Sequence, residues 1–252
     1  MTGGNRNRVL ALDAGNTTVT VGVFEGEDLV LLERAPHDGV AERVSHFPPD
    51  AWAGAALASV TPSRNSALID AVRAITGTEP LVLDHRTDLG VAVCVTRPAA
   101  TGADRLANAA AAWEREKRAV VVADVGTAVS ITAVDREGRY VGGAIAPGPD
   151  ISRAALLART ERLVDPGTEP PGGVIGADTV AALRAGMSYG FAGLVDRLLS
   201  ETLEALGAPD GPALLTGGQA AWLSPFLRVP HVQVPELTLI GLRIALRRAT
   251  GG

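Results

Sequence analysis

A stretch near the start of this 252-residue chain is repeated 111 positions later, and no other feature limits the fold as much. Val9-Leu-Ala-Leu-Asp13-Ala-Gly15-Asn16-Thr17-Thr18 overlays Val120-Val-Val-Ala-Asp124-Val-Gly126-Thr127-Ala128-Val129. Each copy is an apolar run ending in Asp-x-Gly, then small residues, then a second β-branched run. Each continues through a glycine turn, Glu25-Gly26 or Glu137-Gly138, into another strand-like stretch. A duplicated β-unit of this kind predicts two related lobes, 1–115 and 116–252. Helical spacing of apolar residues marks 66–76, 103–118, 151–163, 178–206 and 237–248. The predicted fold class is therefore α/β: two lobes of mixed β-sheet flanked by helices, with a ligand cleft between them.

Composition narrows the function. A 46% hydrophobic content supports a buried core. A formal charge of -5 argues against nucleic acid as a partner, because that surface needs a basic footprint. One cysteine, Cys94, excludes an internal disulfide, and the four histidines are too scattered for metal-ligand spacing. No apolar run reaches the roughly 18 residues of a membrane span, and Met1 to Arg8 lacks a signal-peptide core. The expectation is a cytoplasmic protein with no membrane partner. Lys117 is the sole lysine. A P-loop is thereby excluded, and a Schiff base would have to use Lys117.

The Asp-x-Gly turns carry the most chemistry. Gly15 lets backbone approach a ligand, and Asn16, Thr17 and Thr18 add short donors for phosphate oxygens. Asp13 is a hard oxygen ligand suited to hydrated Mg²⁺. A plain hairpin would use many of the same residues. The second turn, with Asp124, Gly126 and Thr127, suggests instead that two such turns hold one polyphosphate. Gly217 and Gly218 end an apolar run and would let a flat adenine or ribose lie on backbone. Gly142 to Gly148 is a further loop of high backbone freedom. Gly102-Ala-Asp104-Arg105 opens an alanine-rich helix. There Asp104 is either a partner of the helix dipole or a general base beside an anion-gripping arginine; spacing leaves both open.

Taken in order, these motifs resemble type III pantothenate kinase, a family of the acetate and sugar kinase, Hsc70 and actin superfamily. The ordered set also includes Ser59-Val60-Thr61-Pro62, Ile175-Gly-x-x-Thr179, Ser188-Tyr-Gly190 with Val195-Asp196, and the closing Leu237 to Leu242. The resemblance runs from Val9 to about Arg248. It implies an actin-like, ribonuclease H-like duplication and ATP-dependent phosphorylation of pantothenate, the opening step of coenzyme A synthesis. It further implies Asp104 as catalytic base, with Gly102, Arg105, Val95 and Thr179 around the acceptor. Asp13 would orient Mg²⁺, and Gly15 to Thr18, Gly126, Thr127, Gly217 and Gly218 would contact the nucleotide. Asp124 would hold a monovalent cation, K⁺ or NH₄⁺. The implied assembly is a homodimer in which Thr179 reaches the neighbour's acceptor site.

The chain departs from the family pattern at four places. Val95-Thr-Arg97-Pro98 stands where Tyr-x-Asn-Pro is usual, which removes a polar handle and adds a charge. Val129 and Ser130 follow Thr127-Ala where two threonines are usual, Asp178 replaces an asparagine, and 35–50 is short for the family's helix there. Two alternatives follow: the same phosphotransfer machinery acting on another small hydroxyl compound, or a non-catalytic regulatory relative.

Overall fold

The computed structural model describes residues 7–15, 18–48, 51–59 and 65–251. It divides into two compact units, one of residues 1–115 with 236–252, the other of residues 116–235.

The first unit contains β1 (Arg8–Ala14), β2 (Val19–Glu25), β3 (Asp28–Ala35), α1 (Val40–Val44), β4 (Trp52–Ser59), α2 (Asn65–Thr76), β5 (Leu81–Val82), β6 (Ala92–Val93) and α3 (Ala103–Glu116). Its main sheet has the order β3-β2-β1-β4-β5. The β1–β2 and β2–β3 pairs are antiparallel, whereas β1–β4 and β4–β5 are parallel. Central β1 and β4 read as nearly unbroken apolar runs because both their faces are covered. Edge strand β3 alternates exposed and half-buried residues. Leu10, Leu12, Val21, Trp52, Leu57, Leu68 and Val72 form the core under α1 and α2.

The second unit contains β7 (Val120–Val125), β8 (Ala128–Val134), β9 (Arg139–Gly142), β10 (Ile145–Pro147), α4 (Pro149–Ala158), α5 (Thr179–Ala205), β11 (Ala213–Thr216), α6 (Ala220–Leu223) and β12 (Val232–Gln233). Its strands run β12-β11-β7-β8-β9, with β10 on β8. Here too two antiparallel pairs (β7–β8, β8–β9) adjoin two parallel ones (β7–β11, β11–β12). Strand for strand, this repeats the first unit, so the duplication extends from sequence to topology. Ala192, Val195, Leu199 and Leu203 of α5 recur at helical spacing and close the core over β7 and β8.

The closing helix α7 (Leu237–Thr250) corrects one expectation. Sequence placed it in the second lobe; in the structure it packs with the first unit. Leu239 presses on Gly22 of β2, and Leu246 on Gly54 of β4. Gly241 lies against the backbone of Ala107 in α3, so close that a Cβ would collide with that carbonyl. Beside this contact Thr238 Oγ1 donates to buried Asn108 Oδ1 at 2.9 Å. Two further differences are local. The helix expected to reach Leu163 stops at Ala158, where Arg159 N–H tightens onto Leu156 carbonyl oxygen at 3.3 Å. α3 stops at Glu116 because Lys117 takes a left-handed conformation, φ 49°.

Candidate active site

The two Asp-x-Gly turns occupy equivalent places in the two sheets. Asp13, next to last in β1, lies opposite Thr20 of β2 and Ala58 of β4. Asp124, next to last in β7, lies opposite Ser130 of β8 and Thr216 of β11. In both, an antiparallel neighbour and a parallel neighbour hold a carboxylate at the carboxyl end of a central strand. Ligand sites of open α/β sheets sit at such ends.

In the first turn Gly15 N–H donates to Thr18 carbonyl oxygen at 3.0 Å, closing the loop. Asp13 and Gly15 are half-buried and Thr18 is exposed. The expected phosphate residues Asn16 and Thr17, like Val60 to Pro62 of the resemblance, lie outside the described residues. From the loop after β3, His37 Nε2 donates to Gly15 carbonyl oxygen at 3.0 Å.

Three loops build the second turn. Gly126 N–H donates to Ala128 carbonyl oxygen at 2.9 Å. Gly148 N–H donates to Thr127 carbonyl oxygen at 3.0 Å, and a Cβ at Gly148 would strike the carbonyls of Gly126 and Thr127. Gly217, with φ +97°, passes so near the Asp124 carboxylate and Val125 backbone that any Cβ would collide with both. Gln219 N–H then donates to Val125 carbonyl oxygen at 2.8 Å. The structure thus joins Asp124, Gly126, Thr127 and Gly217, with Gly218 next in the same loop.

Beside this junction lies a cavity of about 110 Å³, walled by Pro149, Arg153, Arg184, Met187 and Trp222. Gln219 Nε2 donates to Asp150 Oδ2 across its edge at 2.6 Å. The two arginines are already engaged. Arg153 meets Asp165 at 3.1 Å, and Arg184 Nε donates to Pro166 carbonyl oxygen at 2.7 Å while also pairing with Glu169. Their charge straps the 165–169 loop. Sequence reading missed Gln219, Asp150 and His37, since only the tertiary approach of distant loops gives them a role.

Asp104 and Arg105 stand in the first turn of α3, both half-buried. The Asp104 carboxylate folds back over Gly102, in space a Cβ there would occupy. Among the described residues neither the Asp104 nor the Arg105 side chain forms a hydrogen bond or ion pair. A half-buried acid and guanidinium left without partners are available to a ligand. Val95 is half-buried in the loop between β6 and the 3-10 turn Pro98–Ala100. Thr179, exposed, is the first residue of α5; Asp178 caps that helix by accepting from Ala181 N–H at 2.8 Å.

Among the described residues no group of three or more His, Cys, Asp or Glu could hold a metal. No described helix is long and apolar enough to cross a membrane.

The sequence model of the type III pantothenate kinase family matches residues 9–201. The chain belongs to the type III pantothenate kinase family. A type III pantothenate kinase from Thermomicrobium roseum is 35% identical over 252 residues, covering 95% of this chain and 97% of that one. Among solved structures, a Baf family transcriptional activator from Campylobacter jejuni aligns with TM-score 0.63 at 16% identity, covering 96% of this chain and 100% of that one. MreB 5 of Spiroplasma citri aligns with TM-score 0.56 at 11% identity, over 97% of each chain. At such identities these two establish the fold alone: the two-lobed actin-like architecture expected of the family.

Proposed function

We propose that this chain phosphorylates pantothenate with ATP, yielding 4'-phosphopantothenate for coenzyme A synthesis. Beyond family membership, one observation supports the reading most: Asp104 and Arg105 are half-buried at the start of α3, and their side chains have no partner among the described residues. A structural ion pair would have been satisfied internally. Arg105 grips the acceptor's carboxylate by charge-assisted hydrogen bonds, and Gly102 and Val95 border the acceptor. Asp104 accepts the proton of the primary hydroxyl as that oxygen bonds to the γ-phosphorus. The bond from γ-phosphorus to the bridging oxygen breaks, and ADP leaves with the electron pair. No covalent enzyme intermediate is needed, so positioning and charge neutralisation carry the rate.

The nucleotide phosphates contact Gly15 to Thr18 on one turn and Gly126 and Thr127 on the other. Gly217 and Gly218 carry the adenosine end beside the cavity of the second unit. Asp13 would hold Mg²⁺ and Asp124 a potassium or ammonium ion; bound there, these ions neutralise phosphate charge. A homodimer is part of the proposal. Ile175 and Val174 are 89% and 67% exposed immediately before α5, and Tyr189 on the helix is also uncovered. A second copy covering this face would bring its Thr179 to the acceptor site.

The test is ATP consumption by purified protein with pantothenate and a panel of small hydroxy acids and alcohols. Pantothenate is expected to give the highest kcat/KM. A different preferred acceptor would assign Val95 and exposed Arg97 to a changed pocket, and the absence of turnover with every acceptor would support the regulatory alternative.

A further inference from the structure

At the first turn a histidine with no part in the transfer chemistry holds Gly15. Strand β3 ends at Ala35, opposite Val19, the residue where β2 leaves the turn. The chain departing from β3 therefore passes beside the turn. Pro36 fixes its own φ, and Gly39 N–H donates back to Pro36 carbonyl oxygen at 3.0 Å. This tight turn carries His37 to Gly15, where its Nε2 lies 3.0 Å from the carbonyl oxygen. A carbonyl only accepts, so Nε2 bears the proton. The other ring nitrogen, Nδ1, is buried and has no hydrogen-bond partner among the described residues.

Two physical points follow. First, a carbonyl oxygen in a phosphate-binding turn repels phosphoryl oxygens unless it is turned aside and engaged. His37 engages the carbonyl of Gly15, while Gly15 N–H is already committed to Thr18. Both polar groups of Gly15 are thus fixed before a ligand arrives. Second, a buried nitrogen without a partner costs stability. An apolar ring of similar size would escape that cost, so the histidine is poorly explained by folding alone. The second turn needs no such side chain, because backbone at Gly148 and Gly217 already hems it in.

We propose that His37 is a positioning residue for ATP: its Nε2–H holds the Gly15 carbonyl away from the phosphates and sets the turn for binding. The inference rests on the reading of this turn as a phosphate site.

The experiment compares three substitutions in the full chain. His37→Phe keeps the ring and loses the donor. His37→Asn keeps polarity but is too short to reach Gly15. His37→Gln places an amide N–H near the position of Nε2. His37→Phe and His37→Asn are expected to raise KM for ATP roughly 5- to 10-fold, the size of one lost hydrogen bond, with kcat and acceptor KM changed less than about twofold. His37→Gln is expected to restore KM to within about threefold of wild type. The thermal midpoint of His37→Phe should stay close to wild type, since the unpaired nitrogen goes with the lost donor. Should His37→Phe fail to fold, the Asn and Gln pair still decides. Equal ATP KM in the folded variants would overturn the inference, as would a loss in His37→Gln matching that in His37→Asn. Asp13→Ala, run in parallel, separates the two levels. If it leaves ATP affinity and turnover intact, the phosphate-site reading fails. If it abolishes them while the His37 variants match wild type, only the inference about His37 fails.

Discussion

The two Asp-x-Gly turns began as copies and are now held by different means. In the first unit the loop between Ala14 and Val19 carries, among its described residues, a backbone hydrogen bond from Gly15 to Thr18 and is engaged by the His37 side chain. In the second a three-residue loop between Val125 and Val129 is enclosed by backbone from the Gly148 and Gly217 loops. Side-chain support can be exchanged without moving the chain, whereas backbone-on-backbone support tolerates no added atom. The second turn should therefore be rigid and intolerant of substitution, and the first adjustable. Duplication preserved the strand order and the carboxylate position and left the support free to diverge.

The largest expected contrast is between two glycine substitutions. Gly148→Ala would drive a methyl into the carbonyls of Gly126 and Thr127. It should cost about 3 kcal/mol or more by denaturant titration. Among the described residues a methyl at Gly15 meets the Thr18 carbonyl oxygen alone, at 3.3 Å, and Gly15 has no left-handed φ. The cost of Gly15→Ala should stay within about 1 kcal/mol. Equal costs would break the contrast between a rigid and an adjustable turn.

Ion dependence should come next. With Asp13→Asn the Mg²⁺ concentration giving half-maximal rate should rise at least about tenfold. In wild type, replacing sodium by potassium or ammonium at fixed ionic strength should raise the rate, and Asp124→Asn should erase that difference. If the two substitutions gave the same ion profile, the assignment of a different cation to each turn would fail.

The smallest effect concerns the next turn of each copy. Burial by itself would raise the Asp135 pKa, but the N–H and guanidinium of Arg139 and the N–H of Glu137 donate to its carboxylate and hold it below the usual carboxylate value. The folded pKa lies under the unfolded one. The stabilisation is therefore present above the unfolded pKa and is lost as pH falls through the folded one. Asp135→Asn should cost roughly 1–3 kcal/mol at neutral pH and progressively less in acid. At the corresponding turn of the first copy Arg243 donates to the Gly26 carbonyl oxygen at 3.1 Å and pairs with exposed Glu27, while Glu25 meets Arg8 in a partly exposed pair at 2.6 Å; Glu25→Gln should cost under about 1 kcal/mol. Thermal unfolding at pH 7 and pH 3 measures both.

Much of this was legible in the residues. The repeat announced β1–β2 and β7–β8, and Gly26 and Gly138 fall at positive φ in the turns assigned to them. Of the α5 helix only the termini moved, because its cap, Asp178, and its apolar spacing are local signals. The placement of α7 was not legible. It depends on Gly241 meeting Ala107 and on Leu239 finding the gap at Gly22, contacts that no window along the chain contains. Nor was the premature end of α4, after which the chain turns back to bring Asp165 to Arg153. In the candidate site the carboxylates stood out by motif. His37 and Gln219 did not, for one histidine or glutamine in a loop has no pattern until the fold supplies its partner.

The central claim is that Asp104 serves as base in a transfer from ATP to pantothenate. Mass-spectrometric measurement of phosphorylated pantothenate formed by wild type and Asp104→Asn, beside calorimetric ATP binding by both, tests it most directly. The account predicts product and ADP in equal amounts from wild type. For the variant it predicts unchanged ATP affinity and a rate at least ~10²-fold lower. A variant that turns over at near wild-type rate, or a wild type that makes no phosphorylated pantothenate, would contradict it.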